Sequence, residues 1–218
     1  MKVTYYLEIL SSWCYWAEPA WAELKEKFGS RVEFDWKIAL MKPDAFPVST
    51  SQCEWFYQRS GTVMRSPFKL DAGWFEVSRK GDYRAPNFVA EAARELGVRD
   101  DRVRLALMHA AMREGKKIGD LSLSAEIAAA ASGLAVDKLI AGAKSDAVQK
   151  RVEASTAVFF AHQIDQRPAF ILEDEIGDKA VFSGLAKSKA LSAAIEAMLE
   201  DTAAYTTHRV HFGPPPTV

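Results

Sequence analysis

Two short stretches hold the residue types that could do chemistry. The first, Ser11-Ser12-Trp13-Cys14-Tyr15-Trp16-Ala17, stands where a strand-like run gives way to a helical one. A helix start presents unpaired backbone N–H groups and the positive end of the helix dipole, so it favours negative charge. A thiolate is such a charge. Ser11 has two readings there. It is a helix N-cap, or its hydroxyl donates a hydrogen bond to a thiolate supplied by another molecule. Cys14 is either a reactive thiol or a small buried apolar residue of the first turn. The second stretch is Arg167-Pro168-Ala169-Phe170, directly before a late strand. A proline at a strand entry is a candidate cis peptide. Arg167 either binds a ligand carboxylate or is a solvated surface charge.

The elements that must position these residues follow from periodicity. Val3, Tyr5, Leu7 and Ile9 alternate with Thr4, Tyr6 and Glu8, which predicts a strand. Trp13, Trp16, Ala17, Ala20, Trp21 and Leu24 then recur at helical spacing and stop at Gly29. Pro19 lies in the first turns, so that helix is expected to kink there or start near it. Val32, Phe34, Trp36 and Ile38 alternate again. Strand, helix and strand form a βαβ unit. Prolines and glycines punctuate residues 41–85, with a short helix expected at Ser51 to Arg59. From Pro86 to Gln163 the signals are helical. Pro86 and Gly97 bound one helix; others are expected at Asp101 to Glu114, Ser124 to Ser132, Asp137 to Ala143 and Ser145 to His162. Ala169 to Glu173 and Lys179 to Phe182 read as strands, and Ser188 to Leu199 as the last helix. The remainder, ending in Gly213-Pro214-Pro215-Pro216, reads as a tail.

Composition bounds the function. The chain has 218 residues, 49% apolar and 26% charged, ordinary for one large globular domain or a domain with an insertion. Twenty-eight basic against 29 acidic residues give a net charge of −1, so no nucleic acid or anionic membrane is expected as a partner. Cys14 and Cys53 are too few for a disulfide scaffold or a cysteine-built zinc site. His208-x-x-His211 lacks a carboxylate at ligand spacing, so no metal is expected. His109 reads as structural, and His162 as a helix cap. Glu8 interrupts the first apolar run, which argues against a signal peptide, and no stretch approaches the ~18 apolar residues of a membrane span. The cytoplasm is the expected compartment, where thiols stay reduced. The expected partner is a small-molecule substrate. A homodimer is compatible with the sequence, which does not set the oligomeric state.

At these two stretches the chain resembles the DsbA-like thioredoxin superfamily. Its nearest branches in pattern are FrnE-like dithiol oxidoreductases, 2-hydroxychromene-2-carboxylate isomerases and kappa-class glutathione transferases. Met112-Arg113-Glu114-Gly115-Lys116-Lys117-Ile118-Gly119-Asp120 looks like the EG-x-I-x-D turn of the family's helical insert. The resemblance implies an α/β fold: a thioredoxin-like domain from residues 1–59 and 165–200, an all-helical insertion domain at 60–164, and a tail at 201–218. The oxidoreductase pattern is C-P-W-C-Y, against S-S-W-C-Y here. The isomerase and transferase pattern is S-P-Y-S. Cys14 therefore matches the second cysteine of one pattern, and Ser11 matches the catalytic serine of the other.

The resemblance implies that Ser11 and Cys14 are the catalytic pair, that Pro168 is cis, and that the Arg167 backbone faces Ser11. Ser12, Trp13, Arg167, Pro168, Ser183 and Lys187 are the residues it places around a bound thiol, with Trp13 as a substrate wall. Glutathione or another small thiol is the implied cofactor. Relatives that use glutathione often have an Asp-Arg pair near the start of the last helix. Here the stretch is Phe182-Ser183-Gly184-Leu185-Ala186-Lys187, without the acidic member. Serine cannot exchange disulfides, but its hydrogen bond (~1.5–3 kcal/mol) and a helix start (~0.3–1 kcal/mol) together bring a bound thiol from ~8.5 to between roughly 5.5 and 7.5. The implied function is a thiol-dependent isomerase or transferase acting on a small electrophilic or aromatic molecule. A monothiol disulfide oxidoreductase using Cys14 and a non-catalytic binding module are the alternatives.

Overall fold

β1 (Lys2–Leu7) is buried along nearly its whole length on both faces, which suits the middle of a sheet rather than an edge. The computed structural model, which describes residues 1–184 and 186–214, places it there. β2 (Glu33–Ile38) runs parallel to β1, with Tyr5 opposite Trp36. β3 (Ala169–Glu173) lies antiparallel on its other side, with Tyr6 opposite Ala169. β4 (Lys179–Ser183) pairs antiparallel with β3, giving the order β2-β1-β3-β4.

α1 (Ser12–Phe28) connects β1 to β2 and packs Trp21 against Tyr5, Phe34 and Phe170 on one face of the sheet. On the other face Tyr6, Ala39, Ala169 and Ile171 cluster with Phe159. Pro19 lies inside α1, which starts at Ser12 and not at the proline. The missing N–H of Pro19 withholds a bond from the Tyr15 carbonyl.

Six α-helices stand between β2 and β3 among the described residues: α2 (Thr50–Met64), α3 (Arg84–Glu95), α4 (Arg102–Met112), α5 (Leu121–Ser132), α6 (Val136–Lys144) and α7 (Asp146–Ala161). The expected boundary between residues 59 and 60 falls inside α2, which is continuous across it. Phe159, near the end of α7, packs on the sheet. Ser49, Asp120 and Ser145 cap α2, α5 and α7 through their side-chain oxygens. Gly115, at φ +63°, turns the chain between α4 and α5 and is followed by fully buried Ile118.

The insert is fastened to the sheet layer by a buried polar cluster. The Arg104 guanidinium on α4 is fully buried between Glu18 of α1 and Asp101, and it lies over the rings of Tyr5 and Trp36. Asp101 also receives Lys25 and the Trp21 indole N–H. A buried guanidinium needs such partners, because an unpaired buried charge is costly.

The last helix corrects the sequence reading. α8 runs Ser188–Phe212 rather than ending at Leu199, so residues 201–212 are helical and not a tail. Its buried residues are Leu191, Ile195 and Met198. Beyond them apolar periodicity fades, but nothing stops the backbone before Gly213-Pro214. Thr202, Thr206 and Thr207 hydroxyls donate to carbonyls one turn back. Residues 215–218 of the expected tail lie outside the described residues. No helix among the described residues is long and apolar enough to cross a membrane.

Candidate active site

The site is built at the carboxyl end of β1. After β1 the chain turns so that the Ser11 N–H donates to the Glu8 carbonyl at 3.1 Å, and Ser11 becomes the N-cap of α1. Its extended backbone (φ −84°, ψ 117°) aims Oγ back into the first turn, where it accepts from the Cys14 N–H at 3.4 Å. Ser11 is thus an N-cap in fact, and its O–H remains a donor. Ser11 is 7% exposed, and Cys14 beneath it is 0% exposed.

Burial pushes the Cys14 thiol up to about 11. The Ser11 hydroxyl, the Glu8 backbone N–H and the Arg167 charge oppose that rise without cancelling it. Cys14 is therefore a neutral thiol near pH 7 and not an attacking group. Cys53, on α2, is also buried and free, and burial pushes it up to about 12.

The Arg167–Pro168 peptide is cis. The β1–β3 ladder ends at Tyr6 and Ala169, so Arg167 and Pro168 enter β3 beside the carboxyl end of β1, and the Arg167 charge acts on both Glu8 and Cys14. The Arg167 side chain is already engaged. Its Nε donates to the Ala39 carbonyl, Nη2 to Leu40 O at 2.6 Å and Nη1 to Asp165 O at 3.0 Å, while the guanidinium stacks 4.3 Å from the Phe159 ring centroid. Its place is that of a clamp between the cis-proline loop and the end of β2, whereas the carboxylate-binding reading needs a free fork.

The remaining predicted residues divide. Ser12 and Trp13, both half-buried, open α1, and Trp13 leans on the main core. Ser183 pairs with Ala169, its hydroxyl donates to Gln166 O at 3.2 Å, and the next N–H, of Gly184, donates to Pro168 O at 2.8 Å. Ser183 therefore braces the cis-proline loop. Lys187 is exposed just before α8, with no hydrogen bond or ion pair to the Ser11 corner among the described residues. His162 terminates α7, and His109 pairs with Glu114 at the surface.

Sequence reasoning missed two residues here. Glu8 is 1% exposed; its Oε1 accepts from the Asn87 amide and its Oε2 from the Met41 N–H at 3.1 Å. Asn87, fully buried on α3, in turn accepts the Ile9 N–H at 3.2 Å. Burial pushes the Glu8 carboxyl up to about 6, against the lowering effect of Asn87, Met41, Leu10 and the Arg167 charge. The signal was a carboxylate closing an otherwise apolar strand three residues before Ser11. Asn87 had no such signal, since its partner lies 79 residues away.

Known proteins share this fold. No curated protein sequence matches the chain. Among solved structures, the cytosolic disulfide reductase DsbM from Pseudomonas aeruginosa superposes with a TM-score of 0.73 at 18% identity, over 92% of this chain and 99% of that one. The same reductase with GSH gives 0.71 at 18% identity, over 92% and 100%. A 2-hydroxychromene-2-carboxylate isomerase gives 0.64 at 17% identity, over 94% and 99%. At such identities the likeness is one of fold. The sequence profile of the DSBA-like thioredoxin domain matches residues 2–196. With a strand–cap–helix junction at Ser11, a cis-proline at the facing strand and a helical insert between, the chain belongs to the DSBA-like thioredoxin domain family.

Proposed function

We propose that this protein binds glutathione or another small thiol at the Ser11 corner and uses it in an isomerisation or transfer reaction on a small electrophilic or aromatic molecule. The observation that supports this reading most is the state of Cys14. The motif's own thiol is fully buried, and its ionisation is pushed up to about 11. A reactive thiolate at this helix start would then have to come from outside the chain. Ser11 keeps an O–H to donate, and the first turn of a 17-residue helix adds its N–H groups and dipole. In this reading Ser11 orients the bound thiolate, the helix start stabilises its charge, and Pro168 shapes the groove in which a peptide-like thiol lies. Burial of Cys14 weighs against a monothiol oxidoreductase acting through it.

The DsbM structure with GSH supports glutathione as the first thiol to test, and that reductase's cytosolic description suits the proposed cytoplasmic setting. Without an acidic residue beside Lys187 to hold the γ-glutamyl ammonium, the expected affinity is weak, roughly millimolar. Two measurements test the reading. Reduced glutathione at several times that concentration should raise the melting temperature by mass action. The protein should not reduce insulin disulfides faster than free thiol does. Insulin turnover without added thiol would replace this reading by Cys14 chemistry. Absence of any thermal shift with glutathione, cysteine or coenzyme A would favour a binding module.

A further inference from the structure

The second half of α8 packs on nothing in its own chain. Burial in this helix ends at Met198, yet the helix runs on to Phe212. Residues 203–212 are exposed on every side. Val210 and Phe212, at 78% and 76%, are the most exposed large apolar side chains among the described residues, and Tyr205 is exposed as well. Among the described residues, no ion pair or side-chain hydrogen bond ties residues 201–212 to another element. The bonds of Thr202, Thr206 and Thr207 stay within the helix. Helices in proteins owe most of their stability to a packed face. About three turns of α8 have no such face within the chain. The stretch also lies beyond residue 196, where the family match ends, so the shared family core does not account for it.

One side of this stretch borders a groove of about 710 Å³. Tyr205, Arg209 and Phe212 of α8 line it, together with Glu175 and Ile176 of the turn between β3 and β4. Asp201, Tyr205 and Arg209 follow at four-residue spacing and Phe212 comes three residues later, so all four share one face. The charges are sorted along the helix. Glu200 and Asp201 stand at the start of the stretch, and Arg209 stands near its end, flanked by His208 and His211. Such a face is complementary to a reversed copy of itself. A second α8 laid antiparallel, with Tyr205 on the two-fold axis, sets Asp201 opposite Arg209 of the partner subunit, and the symmetry makes that pair twice. Phe212 then reaches the turn of the partner helix where burial ends. A parallel copy would set acid against acid and base against base.

We infer that two copies of this chain associate through the second half of α8, antiparallel about Tyr205, each helix lying along the other's groove. The contact is one short helix against its copy. It falls below the roughly 800 Å² per partner of a standard interface, so it should be weak, half-formed at roughly 100 µM. Sedimentation of the full chain between ~10 µM and ~1 mM measures it. Asp201→Arg and Arg209→Asp should each weaken dimerisation at least roughly fivefold, because each brings like charges together twice across the axis. The two changes combined should restore the wild-type affinity to within about twofold, because the opposite charges meet again. Tyr205→Cys should form a disulfide with its own copy under mild oxidant. Thr207→Cys, on the other side of the helix, should not. All four positions are exposed, so these variants should melt with the wild type, which checks that the fold is intact. A monomer at every concentration would overturn the inference. So would a dimer that the single charge changes leave unaltered, a combined variant as weak as the single ones, or cross-linking at position 207 in preference to 205.

Discussion

Replacing Ser11 by cysteine should turn this site into a working dithiol. The new side chain would stand at the N-cap of α1, with Cys14 one turn along on the same face. The native bond it removes is long, 3.4 Å from Oγ to the Cys14 N–H. Its loss should therefore cost the low end of a capping substitution, about 0.5–1 kcal/mol, or roughly 1–4 °C in melting temperature for a chain of this size. In exchange, the new thiol sits at the positive end of a helix and should ionise below ~8.5. Cys14, pushed up to about 11 by burial, would be thiolate in only about 3 molecules in 10,000 at pH 7.5. That separation sets the order of events: the introduced thiol attacks a substrate disulfide, and Cys14 resolves the mixed disulfide. Ser11→Cys should thus form an internal disulfide in air and reduce insulin in the presence of a thiol donor, where the wild-type protein does not. Peptide mapping under non-reducing conditions identifies the partner as Cys14 or Cys53. Ser12→Cys, half-buried as the first residue of α1, is the control and should do neither. If Ser11→Cys stays reduced under oxidant while Ser12→Cys pairs with Cys14, the active-site position is one residue later and the roles given to Ser11 fall.

Three other perturbations have expected outcomes. The folded Glu8 carboxyl ionises at about 6, above its ordinary 4.5, so its contribution is fully present below pH 4.5 and is lost as pH rises through 6. Glu8→Gln removes that loss; denaturant titrations should show the variant gaining about 2 kcal/mol on the wild type between pH 4.5 and 7, and a constant gap would refute the burial account. Arg167→Ala frees the Ala39, Leu40 and Asp165 carbonyls and should cost roughly 1.5–3 kcal/mol in chemical denaturation, with a cost under ~0.5 kcal/mol showing that the clamp is idle. Gly97→Ala, at φ +100° with open space around it, should cost roughly 1 kcal/mol, whereas Gly81→Ala adds a backbone clash to a similar φ of +82° and should cost clearly more; equal costs would mean the 81–84 segment is not held against Pro43.

Much of this protein was legible along the chain, and the reason is local. The alternation in β1 and β2, and Gly97 and Gly115 past helix ends, are features of a few residues each, and they recur in the fold; the N-cap expected at Asp137 does not, because α6 starts at Val136 with Ala135 as its N-cap and Asp137 lies inside the first turn. The N-cap at Ser11 and the cis proline before β3 are local in the same way, so both could be named from a few residues each. α8 ran past its expected end because burial, not backbone propensity, stops at Met198. What only the tertiary structure decided is long-range. Cys14 is a neutral thiol because the packed core excludes water from it, Arg167 is a clamp because the end of β2 lies beneath it, and Glu8 is a buried acid because α3 of the insert brings Asn87 onto it. None of these partners is near in sequence. A side chain's ionisation and its free hydrogen-bonding capacity depend on which distant groups exclude water from it, and pattern along a chain does not record that.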